Sequence, residues 1–228
     1  SKSSDNKHKP THFAVVFDSA RKTFRNDIYA NYKANRSEAP DDLAPQFEYI
    51  RKSVLAFNLP SVELLNYEAD DLIAAYTHAA TQSGARVSIV SSDKDLMQLV
   101  TDRVNMIDTM KDRKIGPAEV LEKFEVGPER VIDVQSLAGD SVDNVPGVPG
   151  IGIKTAALLI NEYGDLETLL ERAGEIKQNK RRENVIEFAE QARISCELVT
   201  LRTDTPLPVD MSEMGMKPTE AGMLMGFI

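Results

Sequence analysis

Apolar positions in the first half of the chain fall in short continuous runs, and two of these runs end at or beside an aspartate. Phe13 to Phe17 (FAVVF) is followed directly by Asp18, and Arg86 to Ser91 (RVSIVS) reaches Asp93 after Ser92. Continuous apolar runs of this length predict strands buried on both faces, as in a parallel sheet. Between them lie a basic and aromatic segment from Arg21 to Arg36, a helical spacing from about Asp42 to Phe57, a short strand near Val62 to Leu65, and a helix from about Ala69 to Gln82 closed by Gly84. A further strand is expected at Val104 to Asp108. Strands alternating with helices predict an α/β sheet.

From Gly116 onward the pattern turns helical. Gly116-Pro117 and Gly127-Pro128 each precede a helical spacing, because proline suits the first turn of a helix, where its missing N–H costs nothing. Lys154 to Tyr163, Asp165 to Arg172 and Arg182 to Leu201 also predict helices, after a glycine-rich turn at Pro146 to Gly152. The chain therefore divides into an α/β part, residues 1–115, and a helical part, residues 116–228, which stops just after a helix-start pattern at Lys217 to Glu220. That ending gives the expectation of a piece of a longer chain. Ser1 to His12 lacks apolar periodicity and predicts a mobile polar tail. No fixed-period repeat is present, and no large apolar stripe is left over once these elements are assigned, so a monomer is expected.

Composition narrows the class. With 228 residues, 42% hydrophobic and 28% charged, the chain reads as globular rather than disordered or fibrous. Cys196 is the only cysteine, which excludes an internal disulfide and fits a reducing compartment. The sequence has neither a membrane-length apolar run nor a signal-peptide pattern, so a cytoplasmic location is expected, with no membrane partner. The balance of 27 Lys+Arg against 36 Asp+Glu, net −9, is unusual for a phosphate binder. If eight carboxylates converge on divalent cations, the remainder is −9 + 8 = −1, and local basic stripes can then face a phosphate backbone.

Four acidic clusters make that convergence plausible: Asp18; Glu68 with Asp70 and Asp71; Asp93 with Asp95; Asp140 with Asp143. A single aspartate is usually a solvated residue, a turn former or a cap. Four clusters around an α/β core, two of them at the carboxyl ends of strands, argue together for one cleft. Oxygen donors without paired His or Cys suit Mg²⁺ or Mn²⁺. Two such cations roughly 4 Å apart would support phosphodiester hydrolysis without a protein nucleophile. Glu68 and Asp70 cannot share a helix face, so Glu68 is expected just before the regular helix. The segment RKTFRNDIYANYKANR mixes Arg21, Lys22, Arg25, Lys33 and Arg36 with Phe24, Tyr29 and Tyr32, as a single-strand binder does; a solvated amphipathic helix is the plain alternative. The run GVPGIGIKTA carries a helix-hairpin-helix signature. Gly147, Gly150 and Gly152, with Ile151 between them and Lys154 and Thr155 after, would turn backbone N–H groups toward a duplex phosphate. Lys177, Lys180, Arg181 and Arg182 either extend that contact or are solvated.

Taken in order, VVFD, FRNDIYANYKANR, YEADD, SSDKDLMQLV, LAGDSVDNVPGVPGIGIKTA and LRTDTPLPVD resemble the 5′-nuclease domains of bacterial DNA polymerase I, within the flap endonuclease superfamily. The resemblance covers nearly the whole chain. It implies a PIN-like mixed sheet flanked by helices, a helical arch, and a C-terminal helix-hairpin-helix region that binds duplex DNA. It also implies two-metal hydrolysis of 5′ flaps and RNA primers in replication and repair, in the bacterial nucleoid. By motif, Asp18, Glu68, Asp70, Asp71, Asp93, Asp95, Asp140 and Asp143 match metal carboxylates. Arg25 and Lys33 match catalytic residues that hold the scissile phosphate, with Tyr29, Tyr32 and Arg36 beside them in the arch. Implied partners are flapped or nicked DNA, RNA-primed duplex, a K⁺ ion at the glycine turn and an attached polymerase. One departure stands at the front: the family opens with a hydrophobic strand ending in Asp-Gly, a further metal ligand, where this chain has a polar tail. On that expectation the sheet lacks a central strand and activity is weak. A DNA-structure binding fragment without cleavage, and a single-strand ribonuclease, are the alternative functions.

Overall fold

A computed structural model gives the fold and describes residues 9–37 and 40–227. Its elements run β1 (Val15–Val16), α1 (Arg25–Ile28), α2 (Ala44–Ala56), β2 (Ser61–Val62), α3 (Ala69–Gln82), β3 (Val87–Val90), β4 (Val104–Asp108), β5 (Arg113–Ile115), α4 (Pro117–Phe124), α5 (Val131–Ala138), α6 (Ile153–Tyr163), α7 (Leu166–Glu171), α8 (Asn179–Glu187), α9 (Ala189–Val199) and α10 (Ala221–Phe227). Helix α3 and strand β4 keep their predicted bounds. In β4, Val104, Met106 and Asp108 are buried in strict alternation, the period of a strand with one face on the core. In α3, Leu72, Ala74 and Ala75 are buried, and Gly84 takes a left-handed φ of 83° just past the helix end.

The mixed α/β character holds, but the expected single sheet is two. Strand β1 pairs in parallel with β2; β3 pairs in parallel with β4, which pairs antiparallel with β5. Among the described residues no ladder joins the two sheets. Each of β1 and β3 therefore has one strand neighbour, and neither is buried on both faces as expected: in β3 only Ile89 is buried, while Val90 is 58% exposed. The expected tail does not extend to His12. Residues 1–8 lie outside the described residues, but Phe13 N donates to Met214 O and Met216 N to Thr11 O, each at 2.9 Å, which ties residues 11–13 to the C-terminal segment.

One apolar core unites the two parts of the chain, joining Ala74, Ile89 and Met106 to Phe124, Leu137, Leu159 and Leu169. Three further expectations change. The arch segment is helical only over α1, and the chain then turns through Lys33 at a left-handed φ of 54°. The predicted helix from Arg182 to Leu201 divides into α8 and α9 at Phe188, whose φ of −104° and ψ of 23° break the helical geometry. An apolar stripe does remain: α2, whose main partners are β2 and α10, leaves Phe47, Ile50 and Leu55 exposed. Among the described residues no helix is long and apolar enough to cross a membrane.

The loop between α5 and α6 depends on two glycines in contact. A Cβ on Gly139 would sit 2.5 Å from the Val145 carbonyl oxygen, and one on Gly147 would sit 2.5 Å from the Gly139 nitrogen. Both have positive φ, 67° and 59°. Their contact lets Asp140 and Val145 exchange backbone hydrogen bonds of 2.9 and 2.7 Å, which closes the loop that carries Asp140 and Asp143. Gly139→Ala is expected to lower unfolding free energy by about 2–4 kcal/mol through clash and backbone strain. Gly174→Ala, where nothing lies within 4 Å of the added Cβ, should change it by less than ~0.5 kcal/mol. Urea denaturation of the two variants checks this; equal midpoints would contradict it.

Candidate metal and nucleic-acid site

The first turn of α3 is an anion-collecting point. Glu68 is its extended N-cap (φ −86°, ψ 159°), just before the regular helix as expected. Asp18, at the end of the β1 segment, accepts the Ala69 amide on Oδ1 at 2.8 Å. These carboxylates face the orphan amides and the positive end of the helix dipole, which favours negative charge there. Asp70 projects from the same turn into a cleft of about 110 Å³.

The other walls bring Asp93 and Asp95, which follow β3, and Asp140 and Asp143 from the glycine-closed loop. Asp93 Oδ1 accepts the Asp95 amide at 2.9 Å, and Asp140 Oδ1 accepts the Val142 amide at 2.7 Å, so each motif is shaped by its own side chain. Seven carboxylates, Asp18, Glu68, Asp70, Asp93, Asp95, Asp140 and Asp143, thus line one cleft with three basic residues, Arg25, Lys33 and Arg36. Asp71 is not among them.

Asp71 is the principal correction. One residue on from Asp70 along α3, it points into the core at 0% exposure. Its oxygens accept from Arg25 Nη1 and Nη2 at 2.6 and 2.8 Å, from the Glu68 amide at 3.1 Å and from the Arg202 amide at 3.0 Å. Arg25, 1% exposed, also donates through Nε to the Leu198 carbonyl at 2.8 Å and through Nη2 to that of Thr200 at 3.2 Å. Its guanidinium is committed to α3 and α9, so the phosphate contact expected of Arg25 is not available in this arrangement. Tyr32 is likewise buried, with Val145, Leu198 and Val199, and its hydroxyl donates to Glu68 Oε2 at 3.3 Å. Tyr29 packs on the same cluster. The Tyr32 ring is therefore closed to a stacking base, whereas Tyr29 is only partly buried.

The cations that remain at the mouth are Lys33, whose Nζ lies 2.8 Å from Glu68 and 3.6 Å from Asp143, and Arg36, half-exposed and paired with Asp143. Arg21 and Lys22 are exposed, and Arg21 donates to the Arg36 carbonyl. Of the residues expected to grip duplex, Gly150, Gly152 and Lys154 are exposed and Thr155 is half-buried. Gly147 and Ile151 are buried, Ile151 in the main core, so neither presents a side to DNA. Lys177 and Lys180 are exposed, whereas Arg182 folds back onto the Ile176 carbonyl at 3.0 Å.

Two residues that bond to cleft carboxylates had no place in the sequence expectations. Lys94, between Asp93 and Asp95 in SSDKDL, reaches across to Asp140 Oδ2. Gln135, 3% exposed in the apolar run VIDVQSLA, donates to Asp95 Oδ1. A lysine inside an acidic motif and a lone amide on a buried helix face are the signals that mark them. Among the described residues no group of three or more His, Cys, Asp or Glu is already arranged to hold a metal ion. The donor set nevertheless fits a hard divalent cation: it is all oxygen and carries excess negative charge. Burial and the charges of Asp93, Glu68, Asp95 and Asp18 push the Asp70 carboxyl up to about 8. Burial and Asp93 push Asp95 up to about 6, against the bond from Gln135 and the charge of Lys94. Burial also raises Asp140, but the bonds from Lys94 and the Val142 amide outweigh it and hold that carboxyl below its ordinary value.

Asp70 sets a pH dependence. Its folded pKa of about 8 lies above the unfolded value near 3.9, so the folded state binds its proton more tightly. The associated stability is present below pH ~4 and is lost as pH rises through 8. In EDTA, Asp70→Asn is expected to match the wild type at pH 4 and to melt increasingly above it as pH approaches 8.5. Thermal melts across that range check this, and a difference that does not grow with pH would contradict it.

Comparison with known proteins bears on both parts of the chain. Two family models match in sequence order, the 5′-3′ exonuclease N-terminal resolvase-like domain over residues 3–125 and the 5′-3′ exonuclease C-terminal SAM fold over residues 126–221. The DNA polymerase I of Rhizobium leguminosarum is 57% identical over 219 residues, 96% of this chain and 22% of that protein. The chain thus spans less than a quarter of that relative's length. The 5′-3′ exonuclease of Aquifex aeolicus is 39% identical over 211 residues, 92% of this chain and 71% of that protein. Among solved structures, the T5 5′-exonuclease with bound divalent metal ions (zinc) superposes with a TM-score of 0.74 at 25% identity, covering 94% of this chain and 80% of its own. The catalytic core of Rad2 in complex with DNA substrate shares the fold at a TM-score of 0.60 and 14% identity, over 94% of this chain and 70% of its own. Because the two models together span both walls of the acidic cleft, the chain belongs to the 5′-3′ exonuclease family.

Proposed function

We propose that this chain is a structure-specific, metal-dependent 5′-nuclease that hydrolyses phosphodiesters at 5′ ends and 5′ flaps. The observation that carries the proposal is one cleft lined by seven carboxylates from four separate chain segments, with Lys33 and Arg36 at its mouth. Asp18, Glu68, Asp70, Asp93, Asp95, Asp140 and Asp143 would hold two divalent cations, Mg²⁺ or Mn²⁺. When bound, such cations polarise a phosphodiester and activate water for in-line displacement.

The chain's own residues have distinct parts. Lys33 and Arg36 neutralise and orient the phosphate, exchanging their present carboxylate partners for it. Lys94 balances Asp140 and Gln135 fixes the rotamer of Asp95, a supporting role typical of residues behind metal ligands. Asp71 and Arg25 act beneath the cleft by holding Glu68 in place. Gly150, Gly152, Lys154 and Thr155 contact duplex backbone without reading sequence, with a K⁺ ion in the same turn. Flapped or nicked DNA and RNA-primed duplex are the substrates, and a polymerase is the attached partner, as in the relatives named DNA polymerase I. The α/β part, residues 1–115, carries most of the carboxylates, and residues 116–228 complete the set and hold the duplex.

A 5′-labelled flap duplex incubated with Mg²⁺, Mn²⁺ or EDTA tests the proposal. Release of the flap with either metal and none in EDTA is expected. Asp93→Ala and Asp140→Ala should each lower the rate by more than the ~10–100-fold typical of losing a residue behind a metal ligand, with the circular dichroism spectrum unchanged. Binding without release in every metal condition would assign this chain to DNA-structure recognition alone. Equal cutting of unstructured RNA would assign it to single-strand ribonuclease action.

A further inference from the structure

Behind the glycine-rich turn, the helix pair α8–α9 sends in three polar side chains. Asn184, 9% exposed, donates through Nδ2 to the Pro149 carbonyl at 2.7 Å. Gln191 Nε2 donates to the Gly147 carbonyl at 2.6 Å. The Gly147 amide donates to Ser195 Oγ at 2.9 Å, and that hydroxyl donates to the Gln191 carbonyl at 2.8 Å.

The turn they hold is a β-turn over Val148, Pro149, Gly150 and Ile151, closed by the Ile151 amide donating to the Val148 carbonyl at 3.1 Å. Proline at its second position and glycine at its third, with a Gly150 φ of 78°, are the marks of type II. Types I and II differ chiefly in the direction of the central peptide, here Pro149–Gly150. In a trans peptide the C=O and N–H point opposite ways. A donor that holds the Pro149 carbonyl inward therefore turns the Gly150 N–H outward. No acceptor takes the Gly150 amide among the described residues, and the exposed Gly152 and Lys154 lie on the same stretch.

We infer that Asn184 is a positioning residue for duplex binding: it selects the type II form of the Val148–Ile151 turn and so aims the Gly150 amide at a backbone phosphate it never touches itself. The inference rests on the proposed role of this turn as a duplex grip. Without Asn184 the Pro149 carbonyl loses its buried donor, and the central peptide is free to flip to type I, which puts that carbonyl, an acceptor, where the amide stood. Gln191 and Ser195 hold the Gly147 end, whose peptide carries Val148 N–H to the Leu137 carbonyl at 2.7 Å, so they fix the entry to the turn and not its outward donor.

Binding of the intact chain to a blunt DNA duplex and to a single strand of the same length, by fluorescence anisotropy in EDTA, tests this, with urea unfolding as control. Asn184→Ala is expected to weaken duplex binding by about 3–10-fold, the scale of one hydrogen bond, with single-strand binding and the urea midpoint near wild type. Asn184→Asp, which replaces the donor with a repelling oxygen, should lose at least as much. Gly150→Val is a second route to the same loss: the space beside Gly150 is open, with Asn184 Nδ2 at 3.6 Å from an added Cβ, but a β-branched residue resists the left-handed φ. Duplex binding at wild-type strength in Asn184→Ala or Gly150→Val overturns the inference, as does equal loss of duplex and single strand. Lys154→Ala separates the two levels. If it weakens duplex binding while Asn184→Ala does not, the duplex grip stands and only the role of Asn184 falls; if the wild type shows no preference for duplex and Lys154→Ala has no effect, the grip falls and the inference with it.

Discussion

Like charges that share a small, partly buried volume cannot all stay ionised unless cations offset them. Seven carboxylates on a cleft of about 110 Å³ impose that constraint here, and the surrounding structure is organised around it. The amides at the start of α3 receive Asp18 and stand beside Glu68 and Asp70. Lys33 bridges Glu68 and Asp143, Arg36 takes Asp143, and Lys94 crosses to Asp140. Burial, together with the charge these groups leave unbalanced, raises the carboxyls of Asp70 and Asp95. A cleft left short of positive charge in this way is chemically matched to hard divalent cations.

The acidic cleft needs a rigid floor, and the buried Arg25–Asp71 pair provides it. The pair links α1 to the first turn of α3, while the remaining guanidinium donors reach the end of α9. Removing one partner of such a pair typically costs about 3–5 kcal/mol because the other is left buried and unpaired. Across the cleft, the contact of Gly139 with Gly147 does the equivalent for Asp140 and Asp143. Flanking the same loop, the Asp140–Asp143 segment and the Val148–Ile151 turn are braced by α9 and α8, so that the acidic cleft and the glycine-rich turn share a single support.

Much of this was legible in the sequence because the signals were local. The expected strand at Val104–Asp108 and the glycine-closed helix at Ala69–Gln82 form β4 and α3, and all seven cleft aspartates and glutamates stand in short motifs at or near element ends. What was not legible depended on direction in space. Asp70 and Asp71 are adjacent in sequence but about 100° apart around a helix, so one meets the cleft and the other the core. Arg25 and Tyr32 read as nucleic-acid contacts by type, yet long side chains on a short helix and turn fold inward when a buried carboxylate or apolar cluster waits there. Strand β5, with only Ile115 buried among its three residues, carried no period to detect, and the break at Phe188 lacks the glycine or proline that announces one. Whether β1 and β3 share a sheet is a matter of long-range pairing that apolar runs do not encode.

Mn²⁺ titration followed by electron paramagnetic resonance, with proton release recorded at pH 7, tests most directly the claim that the acidic cleft is a metal centre. Asp70, with its carboxyl near 8, is largely protonated at that pH and must release its proton to become a ligand. Saturable Mn²⁺ binding accompanied by proton release, displaced by Mg²⁺ and weakened by Asp93→Asn, is the predicted result. Absence of saturable binding, or binding that releases no protons and ignores Asp93→Asn, would contradict it.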